Sequence, residues 1–325
     1  MKRVGGGDAD AYGPPIMTAG NSIENRMGLV AWAMLITLSV LWGGSFFFAE
    51  VALRGLPTLT VVFLRVALGA AVLWLVFLAS VPKEKRTNLP WKDFLIMGFL
   101  NNAVPFSLLV WGQTQISSSL ASIINATTPF FTVLVAHVLL ADERMSKAKV
   151  IGVTAGFAGI VVLMGPGVFG GGDVGLAGQV ACVGAAVSYA LAATFGRRFA
   201  GVTPLATATG QVTCSSLLLL PLVCLIDQPW TLNMPGWDVI GSVIGIAVGS
   251  TALAYILYFR ILQVAGATNV ALVTFLVPVS AIVLGTLILG EVLRPEHIAG
   301  MALIGLGLAI IDGRLFELLR PARPT

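Results

Sequence analysis

Ten apolar segments of roughly 18 to 25 residues follow one another along this chain of 325 residues, and they restrict its fold more than any other feature. A segment of that length crosses the hydrocarbon core of a bilayer as one α-helix. Only 10% of the residues are charged. A water-soluble domain carries about a quarter, so lipid has to cover most of this surface. The sequence therefore predicts an all-α membrane protein with spans at residues 29–51, 59–81, 93–114, 119–141, 148–165, 176–198, 204–226, 237–259, 267–290 and 297–314.

The distribution of Lys and Arg tests this number of spans independently. With the N-terminus placed in the cytoplasm, Arg54 and Arg294 fall in outer loops and Arg65 lies within a span, while the other sixteen of the nineteen basic residues lie on the inner side. Such an excess of positive charge is typical of cytoplasmic loops. Adding or removing one span would move half of the loops to the wrong side. We therefore expect a multi-pass protein of the inner membrane, with residues 1–26 and 315–325 as cytoplasmic tails.

The first span is expected to remain in the mature protein. A cleavable signal peptide has a shorter apolar core, closer to the start of the chain, whereas the segment from Met27 to Leu53 is long enough to span. Met1 and Met17 are both candidate start positions, and the sequence does not decide between them.

The two halves of the chain share a pattern of residues. Three pairs are separated by 148 residues and one by 149: Glu143 and Glu291, Gly152 and Gly300, Gly159 and Gly307, and Pro129 and Pro278. The corresponding repeats, 27–165 and 176–314, each hold five spans, so the second repeat enters the membrane from the opposite side. Two inverted repeats pack about a pseudo-two-fold axis in the membrane plane, with two gates around one central site. This architecture is typical of transporters.

Across nearly all of 27–314 the chain resembles the EamA-type transporters of the drug/metabolite transporter superfamily. The residues that carry the resemblance are Trp42-Gly43 and Ser45-Phe46 in the first span, Arg65 in the second, and the Pro…Glu…Gly pattern that ends both halves. The resemblance implies export of amino acids or other small metabolites, and within the superfamily the chain is similar to the YddG-type amino-acid exporters. It departs from many relatives at Glu50, where they carry Lys, and at Arg294, where Ser146 supplies the small hydroxyl residue of the first half.

Arg65 is the clearest candidate for function, because an ionisable residue deep in a span is costly and usually functional. Its guanidinium could hold a substrate carboxylate through two parallel hydrogen bonds. Alternatively, it could be a structural clamp that bonds helix-end carbonyls or Glu50. Glu50 itself lies four residues before Arg54, a spacing that favours an interfacial ion pair.

Polar and aromatic residues within the spans complete the predicted binding site. Asn side chains next to a proline suit a cavity wall that binds a zwitterion, although they also serve as hydrogen bonds between helices. Aromatic residues line the pathway or anchor the lipid interface, and anchoring is expected for Tyr258 and Arg260. The predicted substrate-binding residues are Trp42, Arg65, Asn101, Asn102, Trp111, Asn125, Tyr255 and Asn269, with Pro129 and Pro278 as gating positions in equivalent helices.

Gly241, Gly245 and Gly249 recur every four residues in the eighth span. Small residues on one helix face allow close approach of a neighbouring helix, so this stripe is predicted to serve packing, with a sliding contact for gating as the alternative.

No enzyme is expected, because the sequence lacks HExxH, GxSxG and a phosphate-binding glycine loop. Its three cysteines have no metal-ligand spacing, so neither a metal nor another cofactor is expected. The predicted function is export of amino acids, including aromatic ones, by alternating access. A sugar-phosphate, nucleotide-sugar or drug transporter of the same fold is the first alternative, and a non-transporting membrane sensor or scaffold is the second. The expected partners are a small-molecule substrate and membrane lipid, not nucleic acid; a monomer is compatible with the sequence, and the oligomeric state stays open.

Overall fold

The protein is described by a computed structural model for residues 28–140, 143, 145–164 and 175–312. Both predicted tails and the choice between Met1 and Met17 lie outside these residues. Within them the secondary structure is helical, and nine helices are long and apolar enough to cross a membrane, with a tenth of 16 residues between them. The helices are α1 Leu29–Ala52, α2 Thr58–Ser80, α3 Trp91–Gln113, α4 Ser118–Leu139, α5 Lys147–Met164, α6 Leu176–Phe199, α7 Pro204–Asp227, α8 Trp237–Gly266, α9 Val273–Ile288 and α10 Pro295–Asp312.

The exposed face of the bundle is apolar, and its interior holds polar side chains. Leu75 is 71% exposed and Leu287 is 79% exposed, which lipid tolerates and water does not. Conversely, Arg65, Asn102 and Gln211 are buried between helices. This inverted distribution is expected when a bilayer is the solvent, and the prediction of an all-α membrane fold is confirmed.

Helix packing follows a two-fold symmetry that exchanges helices five positions apart. α1 packs against α9 as α6 packs against α4, and α3 packs against α6 as α8 packs against α1. The same operation relates the contact of α3 with α7 to that of α8 with α2. The two-fold operation also maps three further contacts onto themselves, namely α2 with α7, α4 with α9 and α5 with α10. The ten helices are therefore two inverted five-helix repeats, as predicted.

The glycines that recur between the repeats meet across this axis. A Cβ atom added at Gly152 would lie 2.7 Å from the carbonyl oxygen of Gly307, and one at Gly159 would lie 2.9 Å from that of Gly300. The two-fold operation exchanges these two pairs, because each glycine in α5 has its counterpart 148 residues later in α10. Antiparallel α5 and α10 thus touch backbone to backbone, which only a residue without a side chain permits.

Two helices widen into π-helical turns at equivalent positions. The π-turn in α3 covers Phe99–Ala103 and the one in α8 covers Gly245–Leu253. Each follows eight α-helical residues, beginning at Trp91 in α3 and Trp237 in α8. In α3 the cause is Pro105, whose ring would collide with the carbonyl group four residues earlier in a regular helix. Such turns occur frequently at functional sites.

The predicted glycine stripe in α8 is only partly a packing surface. A Cβ atom at Gly245 would lie 2.9 Å from the ring of Phe48, and one at Gly249 would lie 3.5 Å from Leu41, both in α1. Gly241 is exposed and has no neighbour within 4 Å of such an atom. The prediction for Gly241 is therefore wrong, because the π-turn that begins at Gly245 changes the residues per turn and moves Gly241 off the shared face.

Helices α4 and α9 are both interrupted near their prolines. In α4 a turn at Ala126–Thr127 directly precedes the segment that contains Pro129. A similar turn at Ala271–Leu272 separates a short helical stretch from α9, with Pro278 inside the helix. The second interruption explains why α9 begins at Val273, six residues later than predicted. The gating role of the two prolines stays a prediction.

Candidate functional site

Arg65 lies in the interior of the bundle, about two turns from the start of α2, and is 7% exposed. Its Nε donates to Oγ1 of Thr251 at 3.1 Å, and its Cζ lies 3.6 Å from the centre of the Phe106 ring. This is the only hydrogen bond of Arg65 within the part of the chain that the structure describes. The structural clamp to Glu50 or to helix-end carbonyls is therefore wrong, and Nη1 and Nη2 are left for another partner.

The π-turn of α8 positions the threonine that holds Arg65. Thr251 Oγ1 donates to the carbonyl of Ile246, five residues earlier, at 2.9 Å, and accepts from Arg65. A separation of five residues fits the wider π-turn. In a regular helix the carbonyl of Ile246 would accept from a backbone N–H, whereas the π-turn leaves it free for the Thr251 hydroxyl. The irregular backbone thus aims one hydroxyl at the guanidinium.

A second hydrogen-bonded group joins three helices next to Arg65. Asn101 Nδ2 donates to Oε1 of Gln211 at 3.0 Å and to the hydroxyl of Tyr255 at 3.1 Å. Asn102 Nδ2 donates to the same hydroxyl at 3.0 Å. Tyr255 packs against the same apolar cluster as Phe106, whose ring lies against Arg65, so the two groups are neighbours. Because its oxygen accepts twice, the Tyr255 hydroxyl keeps its own proton for a further acceptor.

Two buried polar atoms in this region have no protein partner. Asn102, which is 0% exposed, leaves Oδ1 without a hydrogen bond, and Ser250, which is 1% exposed, leaves Oγ without one. A buried polar atom without a partner costs free energy. An amide oxygen can only accept, so the unpaired Oδ1 calls for a ligand with an N–H or O–H donor.

Four of the eight predicted binding residues thus come together: Arg65, Asn101, Asn102 and Tyr255. They combine a cation, an unpaired acceptor and a free hydroxyl proton. The ring of Phe106 lies against Arg65, and Tyr189 packs against the same apolar cluster as Phe106. Such an arrangement is complementary to a small molecule that carries a carboxylate, a hydrogen-bond donor and an apolar group.

The other four predicted residues lie outside this network. Trp111 is 42% exposed, because it points away from the side of α3 that buries Leu109, Val110 and Gln113. Its assignment to the site is therefore corrected to an outward-facing position. Asn269 donates to the carbonyl of Ala265, across the kink at Gly266, at 2.9 Å.

Asn125 and Trp42 occupy other parts of the interior. Asn125 buries an unpaired Oδ1 in α4. The ring of Trp42 lies 5.5 Å from that of Tyr258. Tyr258 is consequently an interior residue, half-buried between helices, and the expectation that it anchors the lipid interface is wrong.

The residue that sequence reasoning missed is Gln211. Helices α2 and α7 begin at Thr58 and Pro204, and the separation of these starts makes Gln211 the counterpart of Arg65. Arg65 bonds to α8 of the other repeat, and Gln211 bonds to α3 of the other repeat. The offset of 148 that the sequence shows would have pointed to Thr213 instead, so this equivalence became visible only from the helix starts.

A depression with a volume of about 340 Å³ lies at the end of the bundle where α1 and α3 end, between Glu50, Arg54, Gln113 and Glu291. Gln113 Nε2 donates to Glu50 at 3.3 Å and to the carbonyl of Phe46 at 2.8 Å. Arg54 attracts Glu50 electrostatically but forms no ion pair within 4 Å in the described chain. The predicted ion pair of Glu50 with Arg54 is therefore wrong, because Gln113 occupies the carboxylate.

This arrangement of ten helices matches a known family of proteins. A family model described as the EamA-like transporter family matches residues 29–165 and again residues 176–312. The uncharacterized transporter YvbV of Bacillus subtilis (strain 168) is 28% identical over 86% of this chain and 90% of its own length. The uncharacterized inner membrane transporter YedA of Escherichia coli (strain K12) is 25% identical over 92% of this chain and 95% of its own.

Two further proteins are similar over most of the chain. Protein PecM of Dickeya dadantii (strain 3937) is 28% identical over 73% of this chain and 80% of its own length. A solved crystal structure superposes with a TM-score of 0.63 at 21% identity, over 86% of this chain and 96% of that one, which supports the fold. The two matches of the family model coincide with the two inverted repeats, so the chain belongs to the EamA-like transporter family and is a membrane transporter of the drug/metabolite transporter type.

Proposed function

We propose that this transporter exports amino acids, or chemically related small metabolites with a carboxylate, through the site around Arg65. The observation that carries the proposal is a buried guanidinium whose Nη1 and Nη2 form no hydrogen bond with any residue that the structure describes. Among the described residues, no carboxylate lies within 4 Å of it, and the ion pairs found there involve Lys149, Arg197, Arg198 and Arg294 instead.

The energetics favour an anionic substrate group at Arg65. A charge buried without a counter-ion is strongly unfavourable, and in a span it marks the path of a substrate or ion. Contact with Phe106 returns only about 0.5–2 kcal/mol, and the bond to Thr251 adds one neutral acceptor. A carboxylate would satisfy the remaining donors through two parallel hydrogen bonds.

The neighbouring groups favour an amino acid over a simple carboxylate. Asn102 Oδ1 is buried and unpaired, and an ammonium group supplies the donors that this acceptor lacks. Phe106, Tyr189 and Tyr255 share one apolar cluster beside Arg65 and add aromatic surface for an apolar or aromatic side chain. The similarity to YddG-type amino-acid exporters, inferred from the sequence, points to the same substrates.

The alternatives fit the site less well. A phosphate dianion is normally bound by several cations, and Arg65 is the one cation in the described network around Tyr255. A cationic drug would be repelled by the same charge. A scaffold or sensor without transport gains nothing from an unpaired buried cation.

Location and direction complete the proposal. The name of the relative YedA agrees with an inner-membrane location, and the distribution of Lys and Arg favours both termini in the cytoplasm. Export is the direction that the family resemblance implies. Few acidic residues lie in the spans, so the substrate gradient or weak coupling to an ion would drive transport.

Uptake into proteoliposomes tests the proposal. Labelled amino acids, sugar phosphates and cationic drugs are offered to the purified protein, with and without a proton gradient. We expect saturable transport of amino acids, an apparent affinity about 100-fold lower in Arg65→Gln, and partial retention in Arg65→Lys, which keeps the charge but loses the planar fork.

Arg294→Gln is the matched control, since Arg294 is exposed and pairs only with Glu296 at 3.5 Å. It should transport like the wild type, and size-exclusion profiles should show that all variants are folded. Absence of transport for every amino acid, or full activity of Arg65→Gln, would overturn the proposal.

A further inference from the structure

Glu291 and Glu143 occupy equivalent positions in the two repeats, but their carboxylates form different contacts. Glu291 Oε1 accepts from the backbone N–H of Ser118 at 2.8 Å and from its hydroxyl at 2.7 Å. Glu291 Oε2 accepts from the backbone N–H of Ser119 at 3.0 Å and also from its hydroxyl. Both serines are 0% exposed. One side chain thus satisfies four donors at the start of α4.

This contact closes one end of the bundle. The first turn of a helix presents free N–H groups and the positive end of the helix dipole, so a carboxylate is strongly favoured there. Glu291 follows α9 in the second repeat, whereas Ser118 begins α4 in the first. The four hydrogen bonds therefore tie the two repeats together beside the depression that Glu50 lines.

Glu143, 148 residues earlier, makes no such contact. It pairs with Lys149 at 3.4 Å and with Arg197 at 3.1 Å, and its side chain is 37% exposed. Exposed ion pairs contribute little to stability. Lys149 lies in α5 of the same repeat and Arg197 lies near the end of α6 in the second repeat, so neither pair involves α9.

The two-fold symmetry identifies the partner that Glu143 lacks. The counterpart of the start of α4 is the helical stretch from residue 267, which follows Gly266 with its positive φ of 79°. The first part of α4, Ser118–Asn125, packs against α9, but the second part, Thr128–Leu139, packs mainly against α5 and α6. Glu291 thus ties the repeats through the start of α4, whereas among the described residues Glu143 reaches the second repeat through the exposed Arg197 and not through the stretch from residue 267.

We propose that Glu291 and Glu143 are alternating latches of the two gates. In the state described here Glu291 holds the start of α4, and Glu143 pairs with Lys149 and Arg197 instead. In the opposite state Glu143 binds the backbone N–H groups of the stretch from residue 267, and Glu291 lets α4 go. The inference rests on transport by inverted repeats, not on the choice of substrate.

Hydrogen exchange of the full-length protein in lipid nanodiscs tests the latches, because exchange reports local opening. Glu291→Gln weakens the closed Glu291 end, so amides of residues 118–122 should exchange about tenfold faster, and those of residues 267–272 more slowly. Glu143→Gln removes the latch of the opposite state. Residues 118–122 should then exchange about tenfold more slowly, and residues 267–272 faster.

Glu296→Gln is the control, since Glu296 pairs only with the exposed Arg294, and it should leave both segments unchanged. Faster exchange at 118–122 in Glu291→Gln without slower exchange at 267–272 would show a local helix cap and overturn the proposal, as would an unchanged pattern in Glu143→Gln. If Glu291→Gln does not fold, the double variant Ser118→Ala, Ser119→Ala removes the hydroxyl donors and must shift both segments in the same directions.

Discussion

Arg65 and Asn102 give the centre of this transporter its chemical character. The guanidinium is oriented by Thr251 and Phe106, and its outer nitrogen atoms remain unpaired by protein. The amide of Asn102 is half-satisfied, because Nδ2 donates to Tyr255 while Oδ1 has no partner. The free Nη donors of Arg65 and the unpaired oxygen of Asn102 match the carboxylate and the ammonium group of the proposed amino-acid substrate.

Replacing Asn102 by Leu tests the second end of that substrate. Leu has a similar shape but removes the unpaired oxygen, whose burial costs about 1–3 kcal/mol, so the empty protein should keep its melting temperature or gain a few degrees. The affinity for an amino acid should fall by about tenfold to 100-fold, while the affinity for the matching 2-oxo acid should fall less. Competition binding with both ligands measures this difference, and an equal loss for the two would contradict the assignment.

The residues of the site were only partly predictable. Arg65, Asn101, Asn102 and Tyr255 follow from the rule that polar groups in a span face a partner. Trp111 does not, because an aromatic ring is equally stable against lipid and against a cavity wall. The hydrogen bond of Asn101 to Gln211 requires knowing which helices touch, which no local pattern states.

Among the helices, α5 and α10 form the contact that depends most on residue size. Gly152 faces Gly307, and Gly159 faces Gly300. The recurrence of these glycines was visible in the sequence as a repeat marker. Their pairing across the two-fold axis is a property of the folded bundle and explains why the repeat retains them.

Substitution of Gly159 by Ala should loosen this contact. Its Cβ would lie 2.9 Å from the carbonyl oxygen of Gly300 and from Ile304, so the two backbones must separate. Overpacking of this kind costs about 1–3 kcal/mol, and the melting temperature in detergent should fall by several degrees. Gly305→Ala in α10 is the matched control, since a Cβ there meets nothing within 4 Å. It should be neutral or slightly stabilising through helix propensity, and equal shifts for the two variants would contradict the account.

Hydropathy and charge were sufficient to predict the ten spans, but not their irregularities. A span needs only length and apolarity, which any sliding window detects. The π-turn at Gly245–Leu253 depends on contacts with α1 and α2, so the even spacing of Gly241, Gly245 and Gly249 was misleading. The turn at Ala271–Leu272 likewise had no local marker and shortened α9.

The whole molecule joins two inverted repeats around one polar centre. The repeats are tied at the Glu291 end through Ser118 and Ser119, whereas among the described residues Glu143 pairs with Lys149 and Arg197. Alternating access requires that such an asymmetry reverse during the cycle. The site around Arg65 lies between the two ends and would be exposed to each side in turn.

Solute counterflow measures this central claim most directly. Proteoliposomes that contain the purified protein are loaded with an unlabelled amino acid and diluted into a trace of the same amino acid in labelled form. A carrier with one alternately exposed site should accumulate label transiently above the equilibrium level, and Arg65→Gln should abolish the overshoot while Arg294→Gln retains it. Equilibration without an overshoot would indicate a channel, and no entry of label for any amino acid would contradict the account.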